Sequence, residues 1–106
     1  MSYQISYSPR ASRDLERVWA EVFEASQSFE IAEKYINELM DKVAEKKNFP
    51  RSASPLYYGG SFTGYYFVVF KAYMAFYHVE AQLILVDRIV FRRSDYMRTI
   101  FRHTDQ

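Results

Sequence analysis

The chain has 106 residues, 49% of them hydrophobic and 25% charged, with no cysteine and a net charge of +1. That composition excludes a disordered chain, a disulfide framework, a thiolate metal site and cysteine catalysis, and the length suits one domain over residues 1–106. Aromatic residues are in excess, ten Tyr and nine Phe against one Trp, so they must line a core, a binding surface or both.

Tyr3, Ile5 and Tyr7 alternate with Gln4 and Ser6, which predicts a short strand. Ser8-Pro9 predicts a helix start, with Ser8 capping and Pro9 at the first helical position. Ala11, Leu15, Val18 and Val22 follow at helical spacing with Trp19 beside them. Ser28 is the natural cap of a second helix, whose apolar stripe is Ala32, Tyr35, Ile36, Leu39, Met40 and Val43. The short link predicts an antiparallel helical hairpin, ending around Asn48-Phe49-Pro50. Residues 51–64 contain Pro55, Gly59, Gly60 and Gly64 and read as a loop. Residues 65–70, 73–79 and 83–91 are rich in aromatic and β-branched side chains and predict three strands joined by tight hairpins. Ser94-Asp95 can cap a short last helix to about Phe101, followed by a frayed tail from His103 to Gln106. The order βααβββα is that of an α+β fold, with the helical hairpin on one face of a mostly antiparallel sheet and a short C-terminal helix.

Charge is unevenly spread. Residues 1–50 hold seven Lys/Arg against nine Asp/Glu, and residues 51–106 hold seven against four. Arg88, Arg92, Arg93, Arg98 and Arg102 concentrate the basic character near Asp87 and Asp95. This is either an anion-binding surface for RNA, DNA or an acidic peptide, or a solubilising one. The first ten residues lack the apolar run of a signal peptide, and no run approaches the length of a membrane span, which points to the cytoplasm and to no membrane partner. The Gly-rich run 59–64 lacks the Lys-Ser/Thr and the following helix of a phosphate loop. His78 and His103 are far apart with no carboxylate at ligand spacing, so no metal and no cofactor are expected.

Strict alternation in the last strand places Ile84, Val86, Arg88, Val90 and Arg92 on one face and Leu83, Leu85, Asp87, Ile89 and Phe91 on the other. Charges inside a central apolar strand must be paired or face solvent. Arg88 therefore either bridges the sheet to a helix or lines an anion groove with Arg92. His78, on the face shared with Met74 and Phe76, is a structural residue or a proton-transfer group. Tyr96 either anchors the last helix or stacks on a base.

The opening Tyr3-x-Ile5-x-Tyr7-Ser8-Pro9-x-Ala11 with Asp14-Leu15, the run 73–79, and the closing run from Val86 to Tyr96 together resemble the RelE/ParE superfamily of toxins, over nearly the whole chain. The resemblance implies a growth-inhibiting toxin of a bacterial type II toxin–antitoxin pair. RelE-like members cut mRNA in the ribosomal A site, whereas ParE-like members inhibit DNA gyrase. A third possibility is a non-toxic component that binds antitoxin or acts as a co-repressor. The partner implied is a small, acidic antitoxin that folds on binding in a hetero-oligomer, over the basic C-terminal groove and the helical hairpin. Trp19, Tyr65, Phe67 and Met74 are the residues expected to meet it.

For metal-independent RNA cleavage the resemblance leaves Arg92, Tyr96, His78 and Arg88 as the catalytic set, with Lys71, Arg88, Arg92, Arg93, Arg98 and Arg102 contacting nucleic acid or another target. Such cleavage needs a base for the 2′-OH, charge at the phosphorane and an acid for the leaving oxygen. Only His78 and Tyr96 could move protons. Tyr65, Phe67 and Met74 align where RelE-like nucleases carry basic residues, and Phe91 stands where they often carry His. These departures, and the long hairpin, favour a ParE-like toxin that acts by binding.

Overall fold

The structure is a computed structural model that describes residues 2–94 and 96–101, without the side chains of Thr99 and Phe101. Asp95, Arg102, His103 and the rest of the predicted tail lie outside the described residues. In chain order the elements are β1 (Gln4–Tyr7), α1 (Pro9–Ser26), α2 (Phe29–Ala44), a 3-10 turn (Pro50–Ser52), β2 (Ser54–Tyr58), β3 (Ser61–Phe70), β4 (Tyr73–Glu80), β5 (Leu83–Phe91) and α3 (Tyr96–Phe101).

Both helix starts follow the local chemistry. The Ser8 hydroxyl accepts from the Ala11 amide at 3.0 Å and Pro9 opens α1. The Ser28 hydroxyl accepts from the Ile31 amide at 3.1 Å and starts α2. Gln27, in the left-handed region at φ 55°, ends α1, and its amide donates to the Phe23 carbonyl. The two helices pack as the expected antiparallel hairpin.

The sheet runs β1-β5-β4-β3-β2, with β1 parallel to β5 and every other pair antiparallel. It thus has five strands where the sequence pattern suggested four. Part of the expected loop 51–64 is β2, and β3 begins at Ser61. Gly59 and Gly60, with φ of 60° and 82°, form the two-residue turn between them. Two successive positive-φ residues match the twist of a hairpin, so this glycine pair marks a strand turn. Pro55 is tolerated because β2 is the sheet edge.

The helical hairpin covers one sheet face. Ala11, Val18, Leu39 and Val43 pack there against Val68, Tyr73, Ala75, Tyr77, Ile84, Val86 and Ile89. The fully buried Tyr77 keeps its hydroxyl satisfied by donating to the Pro50 carbonyl, which ties the 3-10 turn to the core. The opposite face carries a smaller cluster, Leu56, Met74, Phe76, Val90 and Ile100, with Tyr96 and Met97 of α3 packed against it.

The last strand departs from strict alternation. Phe76 pairs with Arg88 but Tyr77 pairs with Val86, leaving Asp87 as the extra residue of a β-bulge. Arg88 and Val90 therefore leave the face of Ile84 and Val86, and Ile89 takes their place in the helix-side core. The bulge turns both Asp87 and Arg88 toward one recess.

Ala81 holds φ 53° at the exposed β4–β5 turn without being glycine. Replacing it with glycine removes the steric penalty of that conformation, so Ala81→Gly is expected to stabilise the fold by about 1 kcal/mol, raising Tm by roughly 4 °C in a thermal melt.

Candidate functional site

β1 covers the outer edge of β5 only from Leu83 to Val86. Beyond that point the edge is closed by side chains of α1 and its cap. The Ser8 hydroxyl donates to the Asp87 carbonyl at 2.9 Å. Asp14 accepts the Ile89 amide at 2.8 Å, and Arg17 donates to the Ile89 carbonyl at 3.2 Å. Asp14 is 2% exposed and takes four hydrogen bonds in all. Its two oxygens also receive Arg88 Nε at 2.8 Å and Nη2 at 3.2 Å, and Arg17 Nη1 at 3.0 Å. Burial would push this carboxyl up, but the Arg88 hydrogen bond, the Ile89 amide and the charges of Arg88 and Arg17 outweigh it and hold its pKa below the ordinary carboxylate value. Arg88 thus bridges the sheet to a helix.

His78 stands on the face opposite the helical hairpin, beside the bulge. When protonated it donates from Nδ1 to Asp87 Oδ2 at 2.6 Å and from Nε2 to Glu80 Oε2 at 2.9 Å. Burial alone would lower its pKa, but the hydrogen bonds and charges of Asp87 and Glu80 prevail and raise it above the ordinary histidine value. The Tyr65 ring meets the imidazole edge-on at 5.6 Å. Next to this pair, Ser8, Pro9, Arg10, Tyr65, Asp87, Arg88 and Ile100 line a recess of about 330 Å³.

The residues expected to form one catalytic set occupy separate places. His78 and Arg88 flank the bulge on neighbouring strands. Arg92 lies four residues along the chain from Arg88, one past the end of β5. There its Nη1 donates to the Lys71 carbonyl at 3.2 Å. Lys71 sits over the Tyr35 and Phe70 rings at 5.1 and 5.3 Å and approaches Glu38 at 3.9 Å. Tyr96 packs on Phe76 with ring centroids 5.5 Å apart, so it anchors α3 to the sheet. Arg93 and Arg98 are exposed, and Arg102 lies outside the described residues.

Among the residues expected to meet a partner, Trp19 is half-buried in an aromatic cluster on the hairpin, stacked on Phe23 at 5.3 Å and edge-on to Phe29 at 5.1 Å. With Leu15 and Ile36 it lines an open apolar groove flanked by Glu16 and Glu33. Tyr65 and Phe67 are half-buried on the opposite side of the sheet, whereas Met74 is buried in the cluster with Val90 and Ile100 of α3. Met74 can reach a partner only if α3 lifts.

Sequence reasoning left out the pairing of Asp14, and also Arg10 and Glu80. A signal for Asp14 existed: it sits on the apolar stripe of Ala11, Leu15 and Val18, where a charge must find a buried partner.

The family model described as the ParE toxin of the type II toxin–antitoxin system parDE matches residues 5–96. No curated protein matches the sequence. Solved structures share the fold at low identity. The chromosomal ParDE toxin–antitoxin system from P. aeruginosa superposes with a TM-score of 0.70 at 14% identity, over 85% of this chain and 96% of that one. A mutant of the E. coli toxin RelE in the free state gives 0.66 at 17%, over 96% and 98%. The RelBE2 toxin–antitoxin complex from Mycobacterium tuberculosis gives 0.56 at 16%, over 87% and 100%.

Two measurements check the electrostatics. Asp14→Ala removes the acceptor of a half-buried arginine and a buried amide and is expected to destabilise the fold by about 3 kcal/mol in chemical denaturation. Because the folded pKa of Asp14 is lowered, its contribution is present above the unfolded carboxylate value and is lost as pH falls through the folded one. His78 has the opposite sign: its contribution is full below the unfolded value and fades as pH rises through the raised folded pKa. An NMR titration of His78 should give a midpoint above 6.5, the ordinary value, and Asp87→Asn should lower that midpoint.

Proposed function

The chain belongs to the ParE toxin family of type II toxin–antitoxin systems, and from that premise we propose that it halts growth by binding DNA gyrase rather than by cutting RNA. The observation that carries this reading is the makeup of the sheet face left open by the helical hairpin. Tyr65, Phe67, Met74 and Phe76 occupy it, and α3 packs over part of it through Tyr96, Met97 and Ile100. A nuclease would need charge and proton-transfer groups across that face. Arg88 there is engaged by Asp14 and His78 by two carboxylates. Lys71 and Arg92 stand together at the far rim. Action by binding asks only for complementary surfaces, and the chain has two: the basic rim and the aromatic hairpin groove.

The toxin is held inactive by a cognate antitoxin, a partner supported by the family match and by the antitoxin-bound systems with the same fold. An antitoxin segment with apolar anchors would fill the groove of Leu15, Trp19, Phe29 and Ile36. Phe29 is 64% exposed there and gains most from being covered.

Purified toxin is expected to abolish supercoiling of relaxed plasmid by gyrase and to leave translated mRNA uncut in primer extension. Codon-phased cuts with normal supercoiling, from a preparation that stops growth on induction, would replace this reading with the RelE-like one. Trp19 is the single tryptophan, so antitoxin binding should shift its fluorescence to the blue. Trp19→Ala should weaken that complex roughly tenfold or more, as loss of a central aromatic anchor does.

A further inference from the structure

The connection from α2 to β2 lies outside both the basic rim and the hairpin groove, and its charges are of one sign. Residues 46–79 contain no Asp or Glu. Lys46, Lys47 and Arg51 sit within a run of six residues. Among the described residues no carboxylate pairs with them, and the adjacent Glu45 approaches Lys42 at 3.9 Å instead. In their midst Phe49 is 73% exposed, more than Phe29 of the groove at 64%. The backbone under this ring is pinned. The Lys46 and Lys47 amides donate to the Val43 and Ala44 carbonyls at 3.0 and 3.1 Å, and the Lys47 carbonyl accepts the Tyr3 amide at 2.9 Å. The Phe49 carbonyl accepts the Ser52 amide at 3.0 Å and the Ser52 hydroxyl at 2.7 Å. Pro50 is buried, with its carbonyl on the Tyr77 hydroxyl. An apolar ring held outward on a fixed backbone loses little entropy when it is covered, and covering it removes apolar surface from water. Beside it Tyr3, Asn48, Phe49, Pro50, Arg51 and Ser52 line an open pocket of about 430 Å³, room for an apolar side chain.

What fits this corner is a peptide segment with carboxylates around one apolar side chain. A basic segment is repelled by the three cations. A nucleic-acid strand asks for a basic groove that tracks its backbone and for a succession of rings, whereas here the cations surround one prominent ring on a single short connection. Continuity with the hairpin groove decides the occupant. Phe29, Ile36 and Met40 fall at i, i+7 and i+11 on one shoulder of α2. Met40, 36% exposed, carries the apolar surface beyond the groove toward the C-terminal end of the helix. We infer that the corner at Phe49 is a second docking site for the antitoxin, taking an acidic stretch with one apolar anchor from the same chain that fills the groove. Lys46, Lys47 and Arg51 pair with its carboxylates, and Phe49 and Tyr3 hold its anchor. Glu16 and Glu33 flank the groove while cations flank the corner, so a segment lying along both is held in one direction only. The inference rests on the antitoxin filling the groove, and the two are separable because Trp19 reports on the groove alone.

The test has two arms. In the first, isotope-labelled toxin is titrated with the capped heptapeptides EDELEDE, EDESEDE and KRKLKRK and with oligo(dT), followed by amide NMR. EDELEDE at millimolar concentration is expected to shift the amides of Lys47, Phe49 and Arg51. EDESEDE, without the apolar anchor, should bind roughly tenfold more weakly, and KRKLKRK should leave those amides unmoved. In the second arm the antitoxin is titrated into the toxin and into the double variant Phe49→Ser with Arg51→Glu, both changes at exposed side chains that should leave Tm unchanged. The variant should bind roughly tenfold or more weakly, yet at saturation keep the blue shift of Trp19. No Trp19 shift with the unaltered toxin would remove the groove as the antitoxin site, and this inference with it. A retained Trp19 shift with undiminished affinity in the double variant overturns this inference alone. So does an absence of shifts with EDELEDE, or tighter binding of oligo(dT) at the same amides.

Discussion

β1 shields the edge of β5 for only four residue pairs, and the strand then continues past it beneath α1. A sheet edge buried against a helix would normally leave amides and carbonyls without partners, each costing about 1–3 kcal/mol. Here Ser8, Asp14 and Arg17 supply those partners, reading the backbone of Asp87 and Ile89 as a neighbouring strand would. Asp14 is the centre of the arrangement because it also neutralises Arg88, whose position follows from the bulge at Asp87. Docking of α1, closure of the sheet and orientation of the recess thus share one carboxylate. No buried side-chain polar atom among the described residues lacks a partner, which fits a polar network that is complete rather than partial.

The parts of the fold legible in the sequence were those fixed by local chemistry. Ser8-Pro9 and Ser28 start helices through their own side chains, so a few consecutive residues carried the signal. The strand β2 was hidden because Gly59-Gly60 and Pro55 are the vocabulary of loops as well as of edge hairpins. Alternation along β5 failed at Asp87 because a bulge is set by the register with β4, which no single strand displays. The same holds for the site. Arg88 could be recognised as needing a partner, but that partner lies 74 residues away in the chain. His78 was visible as a lone histidine with Glu80 two residues along the same strand, whereas Asp87 reaches it only when β4 and β5 pair.

The two faces of the sheet also divide the aromatic residues into two kinds. Tyr73 and Tyr77 on the helix side are core, with hydroxyls held by Glu21 and the Pro50 carbonyl. Tyr57, Tyr58 and Phe62, at the β2–β3 turn, remain exposed. Half of the aromatic excess falls between Tyr57 and Tyr77, and it serves both purposes along a single meander. The face opposite the hairpin is consequently lined by Leu56, Met74, Phe76 and Val90 with Tyr65 and Phe67 packed against them.

The parallel pairing of the first strand with the last has a consequence in time. Ser8 and Asp87, bonded in the folded chain, are separated by 79 residues. A growing polypeptide can form the helical hairpin early from local contacts, but β1 has no strand to pair with, and Asp14 only Arg17, until β5 has been synthesised. Contacts of such span are closed late and slowly, since loop entropy must be overcome first. Until then the recess, the bulge and the basic rim do not exist as surfaces. A toxin built in this way acquires those surfaces only after its last strand has been made.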